Sequence, residues 1–132
     1  MISWLEKYKT KKCFQLKLNS MSSFYDLSKV DEIAQGDTNF VKVIVSTFLE
    51  EIPKDTAALE QAYEDTDYEQ VYQLAHKIKP TVELFGLGIL DEVIFIQDWG
   101  KLKKSEVCIN KQMVVILDRI KTVVKELKEK FN

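Results

Sequence analysis

The stretch VYQLAHKIKPTVELFG, residues 71–86, decides the fold because its apolar residues repeat with the period of an α-helix. Spacings of three and four residues collect these side chains on a single helix stripe, which is then the buried face. The stripe consists of Val71, Leu74, Ala75, Ile78, Val82 and Phe85. Asp67 is placed to cap the start of this helix, with Gln70 as its capping-box partner, and Gly86 and Gly88 mark its end. These signals together predict an amphipathic helix.

The same helical period recurs along the rest of the chain. A short helix is predicted over about residues 27–35, a long one over residues 40–63 with Asp37 as its cap, and another over residues 90–100. The clearest pattern lies in residues 109–127, where apolar residues are again three or four apart. These segments predict an all-α protein that folds as an up-and-down antiparallel four-helix bundle with a short extra N-terminal helix.

Charge divides the chain into two parts. The first 20 residues hold five lysines and one glutamate, whereas the remainder is acidic, and the whole chain has a formal net charge of -2 at pH 7. We expect residues 1–22 to be a basic extension, either disordered or a gene-model extension before a start at Met21, and residues 23–132 to form one domain. The acidic body disfavours a nucleic-acid partner, because phosphate binding draws on clustered lysines and arginines.

Charged residues and cysteines predict a cytoplasmic protein that does not insert into a membrane. Lysines at positions 7, 9, 11 and 12 interrupt the apolar core that a secretion signal would need. The longest apolar runs, such as residues 84–90, are about seven residues, against the ~20 needed to cross a bilayer. Cys13 and Cys108 are distant in sequence and form no CxxC motif, so we expect reduced thiols rather than a disulfide.

His76 is the only histidine of the 132 residues, and it lies away from the buried stripe. At about 100° per residue its side chain is about 140° from the stripe's centre, so we expect it to face solvent. Lys79 is three residues later on the same surface, where its ammonium would meet an anion carried by the imidazole. A lone exposed histidine is ordinarily a solvated surface residue, so any functional interpretation depends on the surrounding pattern.

The residues around His76 resemble the signature of histidine-containing phosphotransfer (HPt) domains. That signature has alanine before the histidine, an apolar residue at +2, lysine at +3, a small residue at +5 and glycine at +10. The matching residues are Ala75, Ile78, Lys79, Thr81 and Gly86, with apolar Val82 and Phe85 at +6 and +9. The family usually has glycine at +4, where this chain has Pro80. Proline cannot donate to the carbonyl of His76 and should kink or loosen that turn.

The resemblance implies the same four-helix bundle and a role in two-component phosphorelay signalling. In such domains a phosphoryl group arrives from the aspartyl phosphate of a receiver domain, rests on a histidine ring nitrogen and passes to the aspartate of a second receiver. The implied partners are the receiver domains of a hybrid histidine kinase and of a response regulator, and we expect a monomer. No cofactor of its own is implied, because the receiver supplies Mg²⁺. No Gly-rich phosphate loop is present, so an autonomous kinase is not expected.

The resemblance also assigns roles to individual residues. His76 is the phosphorylated nucleophile and Lys79 neutralises the phosphoryl oxygens. Lys77 is a weaker second cation, for which a solubilising charge is an equally good interpretation. Gln73 is a candidate hydrogen-bond donor. Tyr72, one turn before the histidine, belongs either to an apolar rim that docks the receiver or to the half-buried packing of the helix.

Two further supporting positions are expected to act through packing. Thr81 and Gly86 are small and allow close contact between helices, while Pro80 leaves the geometry of the turn open. The apolar residues Ile94, Phe95 and Trp99 of the predicted fourth helix are open to three interpretations: core, dimer contact or receiver contact. We favour core.

Other classes of function fit the sequence less well. A metal enzyme would have to rely on carboxylates, because one histidine and no cysteine pair cannot supply the usual ligand sets. A hydrolase lacks a nucleophile motif such as G-x-S-x-G. The remaining alternative is a non-phosphorylated helical adaptor of the same fold that docks receiver or kinase domains. His76 together with Lys79 argues against that alternative, and Pro80 keeps it open.

Overall fold

The computed structural model describes residues 24–131, and this part of the chain forms five α-helices and no β-strand. The all-α class predicted from the sequence is therefore confirmed. The helices are α1 (Ser28–Ala34), α2 (Thr38–Glu64), α3 (Tyr68–Leu84), α4 (Leu90–Lys101) and α5 (Asn110–Phe131). The predicted basic extension, residues 1–22, lies outside the described residues.

The starts of α2 and α3 follow from two aspartates at their N-caps. The Asp37 carboxylate accepts hydrogen bonds from the backbone amides of Asn39 at 3.0 Å and Phe40 at 3.3 Å. The Asp67 carboxylate accepts one from the backbone amide of Gln70 at 3.1 Å. Each bond satisfies an amide that has no partner within the helix, so the predicted caps at both positions are present.

The four longer helices enclose one apolar core. Helix α2 packs against α3 and α5, and α4 completes a closed ring by packing against the same two helices, while α1 packs on α2. Five of the six residues of the predicted α3 stripe are buried, and Leu74 is half-buried. Across the interface between α2 and the end of α3, Phe48 and Phe85 stack with ring centroids 4.2 Å apart. The buried face of α3 thus fixes which of its residues reach solvent.

Both long helices of this pair continue through an internal proline. Helix α2 contains Pro53 and α3 contains Pro80. Because proline has no N–H, the carbonyls of Leu49 and His76 lack their usual donor four residues later. Helix α3 nevertheless extends to Leu84, so Pro80 does not end it.

Gly100 brings α3 and α4 into close contact. A Cβ atom at this position would lie 2.6 Å from the carbonyl oxygen of Tyr68 and 2.8 Å from the amide nitrogen of Tyr72. Both are backbone atoms of α3, so only glycine allows α4 to approach this closely. The contact supports α3 directly beneath the turn that precedes His76.

The apolar residues of α4 divide between core and surface. Trp99 is buried, its indole N–H donates to the carbonyl of Val107 at 2.9 Å, and its ring lies 4.6 Å from that of Tyr68. Ile94 is half-buried, whereas Phe95 is 43% exposed. The core interpretation therefore holds for Trp99 and not for Phe95.

In the connection between α4 and α5, the state of Cys108 differs from what the sequence predicted. Cys108 is in a disulfide in this structure. The expectation of reduced thiols is therefore wrong for this structure. It relied on separation along the chain, which does not report distance in space.

Within residues 24–131, no helix combines the length and the hydropathy that crossing a membrane requires.

Candidate functional site

The candidate site is the solvent-facing surface of α3, centred on His76. Its side chain is exposed, as are those of Gln73, Lys77 and Pro80 around it. The residues on either side of this surface, Ala75 and Ile78, are buried in the core. The helix thus presents an imidazole to solvent from a rigid, packed base.

Tyr72 is the aromatic neighbour of this imidazole. The ring centroids of Tyr72 and His76 lie 6.0 Å apart, with the ring planes inclined by 28°. Tyr72 is half-buried, and its backbone rests on α4 at Gly100. The structure thus combines the half-buried packing foreseen for Tyr72 with a ring contact to the histidine.

Lys79 lies three residues after His76, on the same surface of the helix, and is half-buried. Among residues 24–131 it has no ion-pair partner within 4.0 Å. Its ammonium is therefore available to an anion placed on the imidazole.

Lys77 is directed elsewhere. Its ammonium forms an ion pair with the Asp55 carboxylate of α2 at 2.8 Å. The hydrogen bond that Lys77 donates to Asp55 and the charge of the same carboxylate, with a smaller contribution from Glu51, raise the pKa of Lys77. Both residues line an apolar groove of about 380 Å³ between α2 and α3. Lys77 therefore bridges two helices, while Lys79 does not.

Two other predicted residues are also engaged within the fold. The Gln73 amide donates to the Glu69 carboxylate at 2.8 Å, so this donor is already used. Thr81 is half-buried and lines the groove between α2 and α3. Neither contact involves the imidazole of His76.

Gly86 allows a close contact with the segment before α1, whereas the sequence predicted a contact between helices. Its φ is +59°, a conformation that L side chains rarely adopt, and an added Cβ would lie 2.7 Å from the Cβ of Asp26. At this point the backbone N–H of Asp26 donates to the carbonyl of Phe85 at 2.8 Å. Gly86 thus allows the segment before α1 to be tied to the end of α3.

We expect Gly86→Ala to lower the free energy of unfolding by about 1–2 kcal/mol, through the left-handed backbone and the contact with Asp26. Urea denaturation followed by circular dichroism measures this. Gly36→Ala is the matched control, because Gly36 has φ +80° but no atom within 4 Å of an added Cβ. Equal losses in both variants would show that the Asp26 contact contributes nothing.

Comparison with known families identifies the segment that contains this site. Residues 43–94 match the family model of the Hpt domain. This segment is similar to Hpt domains. The matched range spans most of α2, all of α3 and the first turn of α4, with His76 inside it. No curated protein and no solved structure gives a significant match to the chain.

The match indicates the general class of function of the domains to which this segment is similar. Hpt domains act in phosphotransfer in two-component signalling and interact with receiver domains. Residues 24–131 contain no cluster of three or more His, Cys, Asp and Glu side chains that could hold a metal ion.

Two features of this structure were not predicted from the sequence. The ion pair between Lys77 and Asp55 joins residues 22 positions apart, and no pattern in the sequence predicts it. The contact of Gly100 with Tyr68 and Tyr72 had one available signal, a glycine within a helical pattern, which frequently marks close helix packing.

Proposed function

We propose that this protein is a phosphorelay intermediate that accepts a phosphoryl group on His76 and passes it to another receiver. The observation that carries the proposal is the exposed position of the chain's only histidine on α3, within the segment that matches the Hpt domain. The donor is the aspartyl phosphate of one receiver domain and the final acceptor is the aspartate of a second.

The chemistry requires little of the protein beyond an accessible ring nitrogen. The lone pair of that nitrogen attacks phosphorus, the P–O bond of the aspartyl phosphate breaks, and the carboxylate leaves with the bonding electrons. The second ring nitrogen keeps its proton through this step. The reverse reaction on another receiver regenerates the free imidazole. Positioning and charge stabilisation supply most of the catalysis in such transfers, with Mg²⁺ held by the receiver.

Lys79 is the proposed charge-stabilising residue. It lies on the His76 surface, and residues 24–131 leave its ammonium without an ion pair. Gln73 and Lys77 are weaker candidates. The Gln73 amide already donates a hydrogen bond to Glu69, and the Lys77 ammonium already forms an ion pair with Asp55. Either would have to exchange a partner to reach a phosphoryl oxygen.

We expect Lys79→Ala to slow phosphoryl transfer about tenfold, the effect of losing one charge-assisted hydrogen bond in the transition state. Lys77→Ala, which also removes a lysine from the exposed side of α3, should slow it less. The measurement is the rate of phosphohistidine formation from one phosphorylated receiver. A larger effect for Lys77→Ala than for Lys79→Ala would reverse the assignment.

The proposal also covers the arrangement of the helices, the partners and the bounds of the domain. The closed ring of contacts among α2, α3, α4 and α5 supports an up-and-down antiparallel four-helix bundle, with α1 as the extra helix. The proposed partners are the receivers of a hybrid histidine kinase and of a response regulator, with the protein a cytoplasmic monomer. Residues 23–132 form the domain, preceded by the basic extension.

The first experiment is incubation of the purified protein with a panel of phosphorylated receiver domains and Mg²⁺. Intact mass under neutral or basic conditions, which preserve phosphohistidine, reports the product. One added phosphoryl group supports the relay. Binding of a receiver without any added phosphoryl group would instead support the phosphate-free adaptor, and Pro80→Gly would be the first reversion to make.

A further inference from the structure

The imidazole of His76 has one aromatic contact that the family resemblance does not account for. The Tyr72 ring lies 6.0 Å away at an inclination of 28°, within the range in which aromatic rings attract each other. The two residues are four positions apart, so the contact lies along one face of α3. Gln73 and Lys77, the adjacent polar residues, are held by Glu69 and Asp55 instead.

Tyr72 is itself held in place from below. Its amide nitrogen and its Cβ lie 2.8 Å and 3.1 Å from the position of a Cβ on Gly100, so α4 packs directly against this turn. The side chain is half-buried, which restricts its own rotamers. The backbone and Cβ of Tyr72 are therefore held against α4, and its half-buried ring lies beside the exposed imidazole.

An unsupported histidine on a helix surface samples more than one χ1 rotamer, because two staggered positions are accessible there. Each rotamer points the ring nitrogens in a different direction. Phosphoryl transfer needs the attacking nitrogen in line with the breaking P–O bond, and small misplacements of a reacting group lower rates strongly. A ring that selects one rotamer therefore increases the reactive fraction of the imidazole.

We propose that Tyr72 is a positioning residue that holds the imidazole of His76 in the rotamer that accepts the phosphoryl group. The proposal deepens the phosphorelay function and rests on it. The planar face of the Tyr72 ring selects this rotamer of His76. The phenol hydroxyl does not contribute to this selection, and neither does the apolar bulk of the side chain.

Two substitutions separate these contributions. Tyr72→Phe keeps the aromatic face and removes the hydroxyl, whereas Tyr72→Leu keeps apolar bulk against α4 and removes the face. In the free protein, NMR of the single histidine needs no assignment among several residues. We expect the ring-current shift of the imidazole C–H signals to be retained in Tyr72→Phe and lost in Tyr72→Leu. Identical imidazole shifts in all three proteins would overturn the contact.

The functional test uses phosphoramidate, a small donor that needs no docking. The imidazole nitrogen attacks its phosphorus, the P–N bond breaks and ammonia leaves. We expect Tyr72→Leu to slow this reaction about three- to tenfold, from the weight of one aromatic contact, and Tyr72→Phe to stay within about twofold of the wild type. Wild-type rates for Tyr72→Leu would overturn the positioning role.

A receiver as donor completes the test. If Tyr72→Leu slows transfer from a receiver but not from phosphoramidate, Tyr72 is a docking residue and the positioning proposal is wrong. If the wild-type protein accepts from phosphoramidate but from no receiver, the relay function fails while the positioning role stands on the small-donor rates. The NMR comparison decides the ring contact independently of either reaction.

Discussion

A His76→Gln protein should gain no phosphoryl group from any phosphorylated receiver that modifies the wild type. Glutamine is similar in length and polarity, but its amide nitrogen has no free lone pair with which to attack phosphorus. Because His76 is the chain's only histidine, no second imidazole can take over. Intact mass of both proteins, incubated side by side under neutral or basic conditions, measures the loss.

The same substitution should leave the fold intact. His76 is exposed, and glutamine is a slightly better helix former than histidine, so we expect the free energy of unfolding to change by less than about 0.5 kcal/mol. Far-UV circular dichroism and urea denaturation provide this control. Normal phosphoryl acceptance by the folded variant would overturn the assignment of His76.

Gly100→Ala should destabilise the protein by about 2 kcal/mol and lower its Tm by about 8 °C. An alanine Cβ would lie 2.6 Å from the Tyr68 carbonyl oxygen and 2.8 Å from the Tyr72 amide nitrogen, so α4 would have to move away from α3. Neither backbone atom can swing aside as the end of a flexible side chain would. Thermal and urea denaturation measure the loss.

The sign of this effect makes the test decisive. Helix propensity alone predicts that alanine is better than glycine by about 1 kcal/mol in a helix. Ala58→Gly, at an exposed position of α2, measures that preference in this protein and should be destabilising. Ala58→Gly gives the loss in free energy of unfolding that helix propensity alone causes. If Gly100→Ala gained this same amount over the wild type, no close contact at Gly100 would exist.

Much of the helix pattern was predictable because it depends on local signals. The carboxylates of Asp37 and Asp67 accept from backbone amides in the first turns of α2 and α3, as residue type and position indicated. The buried stripe of α3 followed from the helical period, and so did the exposure of His76 on the opposite side. The motif around His76 was readable because it is contiguous.

The details of the site were less predictable because they depend on neighbours in space. Periodicity placed Lys77 and Lys79 at the surface, but only the packing of α2 against α3 shows that Asp55 engages the former. The spacing of Tyr72 and His76 permits a contact between them, but the approach of α4 to the Tyr72 backbone is visible only in the folded structure. Cys108 shows the same limit, since its bonding depends on the folded chain.

The single exposed histidine has a consequence for the capacity of a relay that uses this protein. Each molecule offers one imidazole and so stores at most one phosphoryl group on it. A signal passing through such a carrier is conserved in amount and is not amplified. In the proposed relay, the number of copies therefore sets how much phosphate this step holds at any moment, and the donor and acceptor receivers compete for that fixed store.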